Sequence, residues 1–255
     1  MLYLLAFLGA LVAGGINVLA GNGSAITLTI LMELLGLPAD VANGTNRVGV
    51  IANGLGGVLG FRREGRYRNQ SPALRRQMWL IVGVISLGAV LGVYFSLIIS
   101  NAAFRAVFRW LLVVMLVVVL ARPKRWLQAV PGGQRPLPAW LSAPLYFALG
   151  IYAGFIQMGF GVFFLGLTVL AARYDLIQAN VLKALAVTVC TLFAVAIFAW
   201  RGLIDWPVGL VMAAGQYAGG YVTARFAARD ERAGTVAYWV LVTVLVVAIG
   251  RAFVF

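Results

Sequence analysis

The sequence predicts an all-α polytopic membrane protein: an inverted-topology repeat of about 5+5 helical segments, with broken helices after glycine motifs. Three observations predict it. The 255 residues are 63% hydrophobic and 11% charged, with a mean hydropathy of +0.98, which is more apolar surface than a soluble domain needs. A short signature occurs twice, as Ala13-Gly14 with Gly21-Asn22-Gly23 and as Ala153-Gly154 with Gly159-Phe160-Gly161. Ala13, Gly14 and Gly21 match Ala153, Gly154 and Gly161 at a spacing of 140. Lysine and arginine, finally, concentrate in alternate connecting loops.

The first segment, 2–19, lacks a basic start and carries part of the signature, so it reads as a membrane helix and not as a removable signal peptide. A glycine break separates it from 24–36, which is too short to cross ~30 Å of hydrocarbon at about 1.5 Å per residue. It therefore reads as a half-helix that meets its predecessor inside the bilayer. Segments 42–61, 78–99 and 104–121 complete a first half over 1–121. The stretch 122–139, with Pro123, Pro131-Gly132-Gly133, Pro136 and Pro138, is a linker loop. The second half, 140–255, runs through 140–157, a second glycine break, the short 161–172, then 178–200, 206–226 and 235–254. Five segments per half is an odd number, so the second half enters from the opposite side. Gly88 and Gly92 match Gly215 and Gly219 at a spacing of 127, and a step of four puts each pair on one helix face, where close helix packing is expected.

Orientation follows from the basic residues. Arg62, Arg63, Arg66, Arg68, Arg75 and Arg76 lie in 62–76, and Arg122, Lys124, Arg125 and Arg135 in 122–135. With Arg173, Arg225, Arg229 and Arg232 they place fourteen charges on one side, against four (Arg105, Arg109, Arg201 and Arg251) on the other. The loops 62–76 and 122–135 are thus expected to be cytoplasmic, and both termini non-cytoplasmic. The net charge of +13 belongs to these loops and does not indicate nucleic-acid binding.

Several chemistries are excluded early. Cys190 is the single cysteine and there is no histidine, so an intrachain disulfide and a cysteine cluster are ruled out. The commonest zinc and haem ligand is missing as well. No cofactor or metal is expected. There is no Walker A loop, and no Ser/His or Cys/His pair can form, so the chain does not read as an enzyme.

Two cations lie inside helical segments at related places. Ala42-Asn43 matches Ala179-Asn180 at a spacing of 137, and Asn46 matches Lys183, with Arg47 one residue further on. Arg47 and Lys183 sit about 8 Å into their helices by helical rise and approach the midplane from opposite sides. A charge at such depth costs ~2.5–3.5 kcal/mol on insertion scales. No acidic residue in the two segments is placed to neutralise them. Either a bound anion supplies the counter-charge, or the charges snorkel to headgroups or rest on helix C-terminal carbonyls.

The half-helix after each break begins with unpaired N–H groups and a partial positive charge. Ser24 is a candidate cap for the first, and Gly23 and Gly161 leave room for close approach of backbone to ligand. Asn17 and its match Gln157, with Asn22, Thr45, Asn46, Asn53, Gln216 and Tyr217, are candidate neutral donors to a small oxyanion, each with helix–helix hydrogen bonding as its alternative. Glu33, the carboxylate well inside a helical segment, is a candidate coupling group. Passive anion conduction and an accessory role without transport stand as alternatives to secondary transport.

These residues carry a resemblance over essentially the whole chain. Ala13-Gly14, Gly21-Asn22-Gly23-Ser24, Ala42-Asn43-Gly44-Thr45-Asn46-Arg47, Gly154, Gly159-Phe160-Gly161 and Ala179-Asn180 to Lys183 resemble the TauE/SafE family of sulfite and organosulfonate exporters. The chain departs from that pattern in having no proline over Ile26 to Leu31. The resemblance implies export of small sulfur-containing anions, such as sulfite, sulfoacetate or related sulfonates, across the bacterial inner membrane. It also implies that ion or proton gradients drive the export. The expected partners are the anion and the lipid bilayer, with a homodimer left open.

Overall fold

The computed structural model describes residues 2–63, 72–121, 138–172, 174, 176–227, 239–243 and 245–250. Every element among them is helical: α1 (Leu2–Ala20), α2 (Gly23–Thr29), α3 (Ala39–Arg63), α4 (Pro72–Ile98), α5 (Asn101–Ala121), α6 (Ala139–Phe155), α7 (Phe160–Leu165), α8 (Leu176–Trp200) and α9 (Trp206–Ala227). A last apolar helix, α10, covers Trp239–Gly250. The ten expected segments are all present, with ends moved by a few residues. Arg66, Arg68, Arg122, Lys124, Arg125, Arg135, Arg173, Arg229, Arg232, Arg251 and nearly all of the linker lie outside the described residues.

Among the described residues, four helices are long and apolar enough to cross a membrane, over Leu2–Leu19, Arg75–Ile98, Asn101–Ala121 and Gln178–Trp200. Their outer faces carry exposed apolar side chains such as Leu80, Leu87, Val117 and Leu192, as lipid contact requires. Trp79 and Trp140 stand near one end of the bundle and Trp200 and Trp206 near the other, all exposed, where amphipathic rings favour the headgroup level. Helix α3 is long but polar. It turns Asn43, Thr45, Asn46, Arg47 and Asn53 inward, all buried, and packs against α8 and α9. These groups avoid hydrocarbon because other helices surround them.

α1 stops where Gly21 turns to φ +71 and returns its N–H to Ile16 O (3.2 Å) and Asn17 O (3.0 Å), a left-handed ending that glycine adopts without a Cβ penalty. α2 continues through wide turns at Ile30–Leu34, and α7 through the same kind of turn at Gly166–Ala171. Both close alike. Leu35 N–H bonds to Ile30 O and Leu37 N–H to Leu31 O; Ala172 N–H bonds to Leu167 O and Tyr174 N–H to Thr168 O. Each of these residues in the first half has its counterpart 137 positions on.

Glycine-mediated packing repeats as well. A Cβ on Gly215 would meet Phe7 O and one on Gly219 would meet Leu11 O, while Gly88 faces Phe147 O and Gly92 faces Ile151 O. Phe7 and Phe147, like Leu11 and Ile151, are 140 positions apart. The α4/α6 pair therefore repeats the contacts of the α9/α1 pair, and the expected close packing at all four glycines is observed.

Candidate anion site

The two glycine breaks touch. Gly161 N–H donates to Gly21 O at 3.1 Å, and a Cβ on either residue would stand 2.3 Å from the other's Cα. Only a pair of glycines lets the two broken helices approach this closely. Gly23 serves packing of another kind, since a Cβ there would strike Ala13 O and Asn17 Cβ. Ser24 does not cap α2. The helix begins one residue before it, Asn22 holds the capping position, and no side-chain cap bond forms.

Both embedded cations are buried, Lys183 at 5% exposure and Arg47 at 1%, so neither snorkels to headgroups. Each is held by the helix end of the opposite half. The Lys183 ammonium donates to Asn17 O (3.2 Å) and Val18 O (2.9 Å) in the last turn of α1. The Arg47 guanidinium donates to Ala153 O, Gly154 O (2.8 Å) and Gln157 Oε1 (3.0 Å) at the end of α6, and to Asn43 Oδ1 (3.1 Å) on its own helix. Carbonyls in the last turn of a helix carry partial negative charge, so they suit this task even where, as at Asn17 O, they also accept the closing N–H of Gly21. No carboxylate is buried with either cation among the described residues. The positive charge is solvated by dipoles and left formally uncompensated.

Lys183, Asn17, Ser24, Asn53, Gln157 and Gly161 are among the residues around a partly open crevice beside the glycine contact. Its cavity volume of about 20 Å³ holds roughly one water. The crevice uses the second half of α3 and the first half of α8, so it lies toward the basic-loop end of the bundle. Arg47 and Asn43 lie earlier on α3 and Thr191 later on α8, further from that end, and do not line the crevice. Of the residues expected at the site, Arg47, Asn22, Gly23, Thr45, Asn46 and Gln216 are buried but do not line this crevice.

Their partners explain their places. Asn17 Nδ2 donates to Asn53 Oδ1 (2.7 Å), and Asn53 Nδ2 to Gly14 O and Gln216 O. Asn46 Oδ1 accepts from Thr27 Oγ1 (2.6 Å). Thr45 Oγ1 accepts from Asp205 N–H (2.9 Å), bracing the entry to α9. Tyr217 is exposed and stacks on Tyr221, away from the site. Glu33 pairs with Arg105 at 3.1 Å, both part-exposed, and Arg105 also reaches Leu37 O.

Both side-chain atoms of Asn22, the Asn46 and Gln216 amide nitrogens and Arg47 Nε are buried without a hydrogen-bond partner. Such groups are costly to leave unmade, about 1–3 kcal/mol each, and donors predominate among them. The sequence reading missed Thr191, whose Oγ1 accepts from Gln157 Nε2 (2.8 Å). A threonine in an apolar helix carries no signal of its own there.

Apolar helices around a polar interior suit a membrane transporter. The family model described as Sulfite exporter TauE/SafE matches residues 6–251, and the chain belongs to this family of membrane transporters. A probable membrane transporter protein, ORF9, from Sinorhizobium sp is 30% identical over 233 residues, covering 88% of this chain and 84% of the relative. A probable membrane transporter protein from Haemophilus influenzae is 28% identical over 219 residues, covering 84% and 80%. No solved structure matches.

Proposed function

We propose that this chain is a secondary transporter that exports small sulfur-containing anions across the bacterial inner membrane. Sulfite, sulfoacetate and related sulfonates are the candidate substrates. The observation that carries the reading is the pair of buried cations, Arg47 and Lys183, with no buried carboxylate among the described residues. Unpaired donors at Asn22, Asn46 and Gln216 add neutral hydrogen bonds of the kind an oxyanion accepts.

The anion sits near the midplane, between inverted halves 1–121 and 140–255 joined by 122–139. The contacts repeated at spacings of 137 and 140 support that duplication. With 62–76 and 122–135 cytoplasmic and the termini outside, the Lys183 crevice lies on the side from which an exporter loads. Gly21 and Gly161, which touch, both border the crevice, and a close backbone contact there is compatible with alternating access. At about 20 Å³ the crevice must widen before it takes an anion larger than water. Glu33 is the carboxylate available for coupling, through its pair with Arg105.

Flux of sulfite into proteoliposomes tests the site. Arg47→Ala combined with Lys183→Ala is expected to reduce protein-dependent flux to the empty-liposome level. Flux at the wild-type rate in the double variant, with folded protein verified by its elution as a single species, contradicts the proposed site.

A further inference from the structure

Gln157 stands between the two cation compartments. It borders the crevice that holds Lys183, yet its Oε1 accepts from Arg47 Nη1 at 3.0 Å, and its Nε2 donates to Thr191 Oγ1 at 2.8 Å. It is 4% exposed. It is also the residue other than glycine whose φ is positive, at 60°, among the described residues. A side chain held in that region by its surroundings marks a strained position, and such positions concentrate at switches and ligand clamps.

The acceptors around Arg47 are all neutral: two backbone carbonyls and the amide oxygens of Asn43 and Gln157. An anion's oxygen would bind a guanidinium more strongly than an amide oxygen does. Of the four residues that supply these acceptors, Gln157 alone also borders the crevice.

We propose that Gln157 is a displaceable septum. Its amide oxygen holds Arg47 in place of the substrate, and the anion passes from the Lys183 crevice to Arg47 by taking over that contact. This inference rests on the anion-transport reading and adds a second station to it, with Gln157 as a positioning residue acting through Arg47.

Two variants of the full chain test it in proteoliposomes and by thermal unfolding, with sulfite as the probe. Gln157→Glu tethers a carboxylate to Arg47. Sulfite flux is expected to fall at least tenfold and the sulfite-dependent rise in Tm to vanish, while the sulfite-free Tm stays at or above wild type. Gln157→Gly accepts the positive φ, keeps the fold and removes the competing amide. The sulfite concentration needed for a given rise in Tm is then expected to fall several-fold, whereas a purely structural glutamine predicts that it climbs. Wild-type flux and Tm response in Gln157→Glu, or weaker sulfite binding in Gln157→Gly, overturns the septum while leaving the transport reading intact. A wild-type protein that neither moves sulfite nor responds to it overturns both.

Discussion

Gly21→Ala is expected to destabilise the protein by about 2–5 kcal/mol and to abolish transport. Two costs combine. The left-handed conformation at φ +71 costs a residue with a Cβ roughly 1–2 kcal/mol, and forcing a methyl group to within 2.3 Å of Gly161 Cα adds about 1–3 kcal/mol of overpacking. The Gly161 N–H bond to Gly21 O is pushed apart at the same time. Gly36→Ala separates the two costs, because Gly36 has φ +67 and nothing within 4 Å of a new Cβ. It should show the conformational penalty alone and retain transport. Thermal unfolding and sulfite flux measured on both variants check this; equal losses at the two positions would show that contact between the breaks does not matter.

Arg47→Met is expected to eliminate sulfite flux and to cost about 3 kcal/mol or more. The substitution removes the charge and leaves the acceptors of Ala153, Gly154, Gln157 and Asn43 without their buried donor, each unmade bond costing about 1–3 kcal/mol. Arg47→Lys divides the effect. An ammonium restores charge and some of the bonds, but it lacks the planar fork that spans several acceptors at once. Most of the stability should therefore return with less than a tenth of the flux. Full flux in Arg47→Lys would mean that charge alone suffices and the guanidinium geometry is incidental.

Much of the fold was legible because membrane helices are bounded by local chemistry. The apolar runs and the glycine breaks placed α1 and α6, and α2 and α7 together with the wide turns that continue them, within a few residues of their observed ends. The pairing of Gly21 with Gly161, matched by spacing alone, turned into a physical contact. That Arg47 and Lys183 lie within helices was legible too, and both are buried. Helix C-terminal carbonyls stood among the alternatives for their partners, but which helix ends supply them was not legible. That Lys183 reaches the end of α1 and Arg47 the end of α6 depends on how the halves cross, which periodicity does not encode. The Ser24 cap failed for a smaller reason: α2 starts at Gly23, so the serine falls inside the helix. The positive φ of Gln157 was invisible because a glutamine beside an apolar run gives no hint of backbone strain. The bond from the Asp205 N–H to Thr45 Oγ1 was hidden as well, because the two residues are far apart in the chain and meet only where α9 enters beside α3.

The account depends on an anion bound midway between the halves and released on alternate sides. Counterflow measures this most directly. Proteoliposomes loaded with concentrated unlabelled sulfite are diluted into a trace of radiolabelled sulfite. A carrier with one alternating site exchanges label inward against the outward gradient, so label should accumulate transiently above its equilibrium level and then decline. Label that rises monotonically to equilibrium without overshoot, or does not enter at all, would contradict the account.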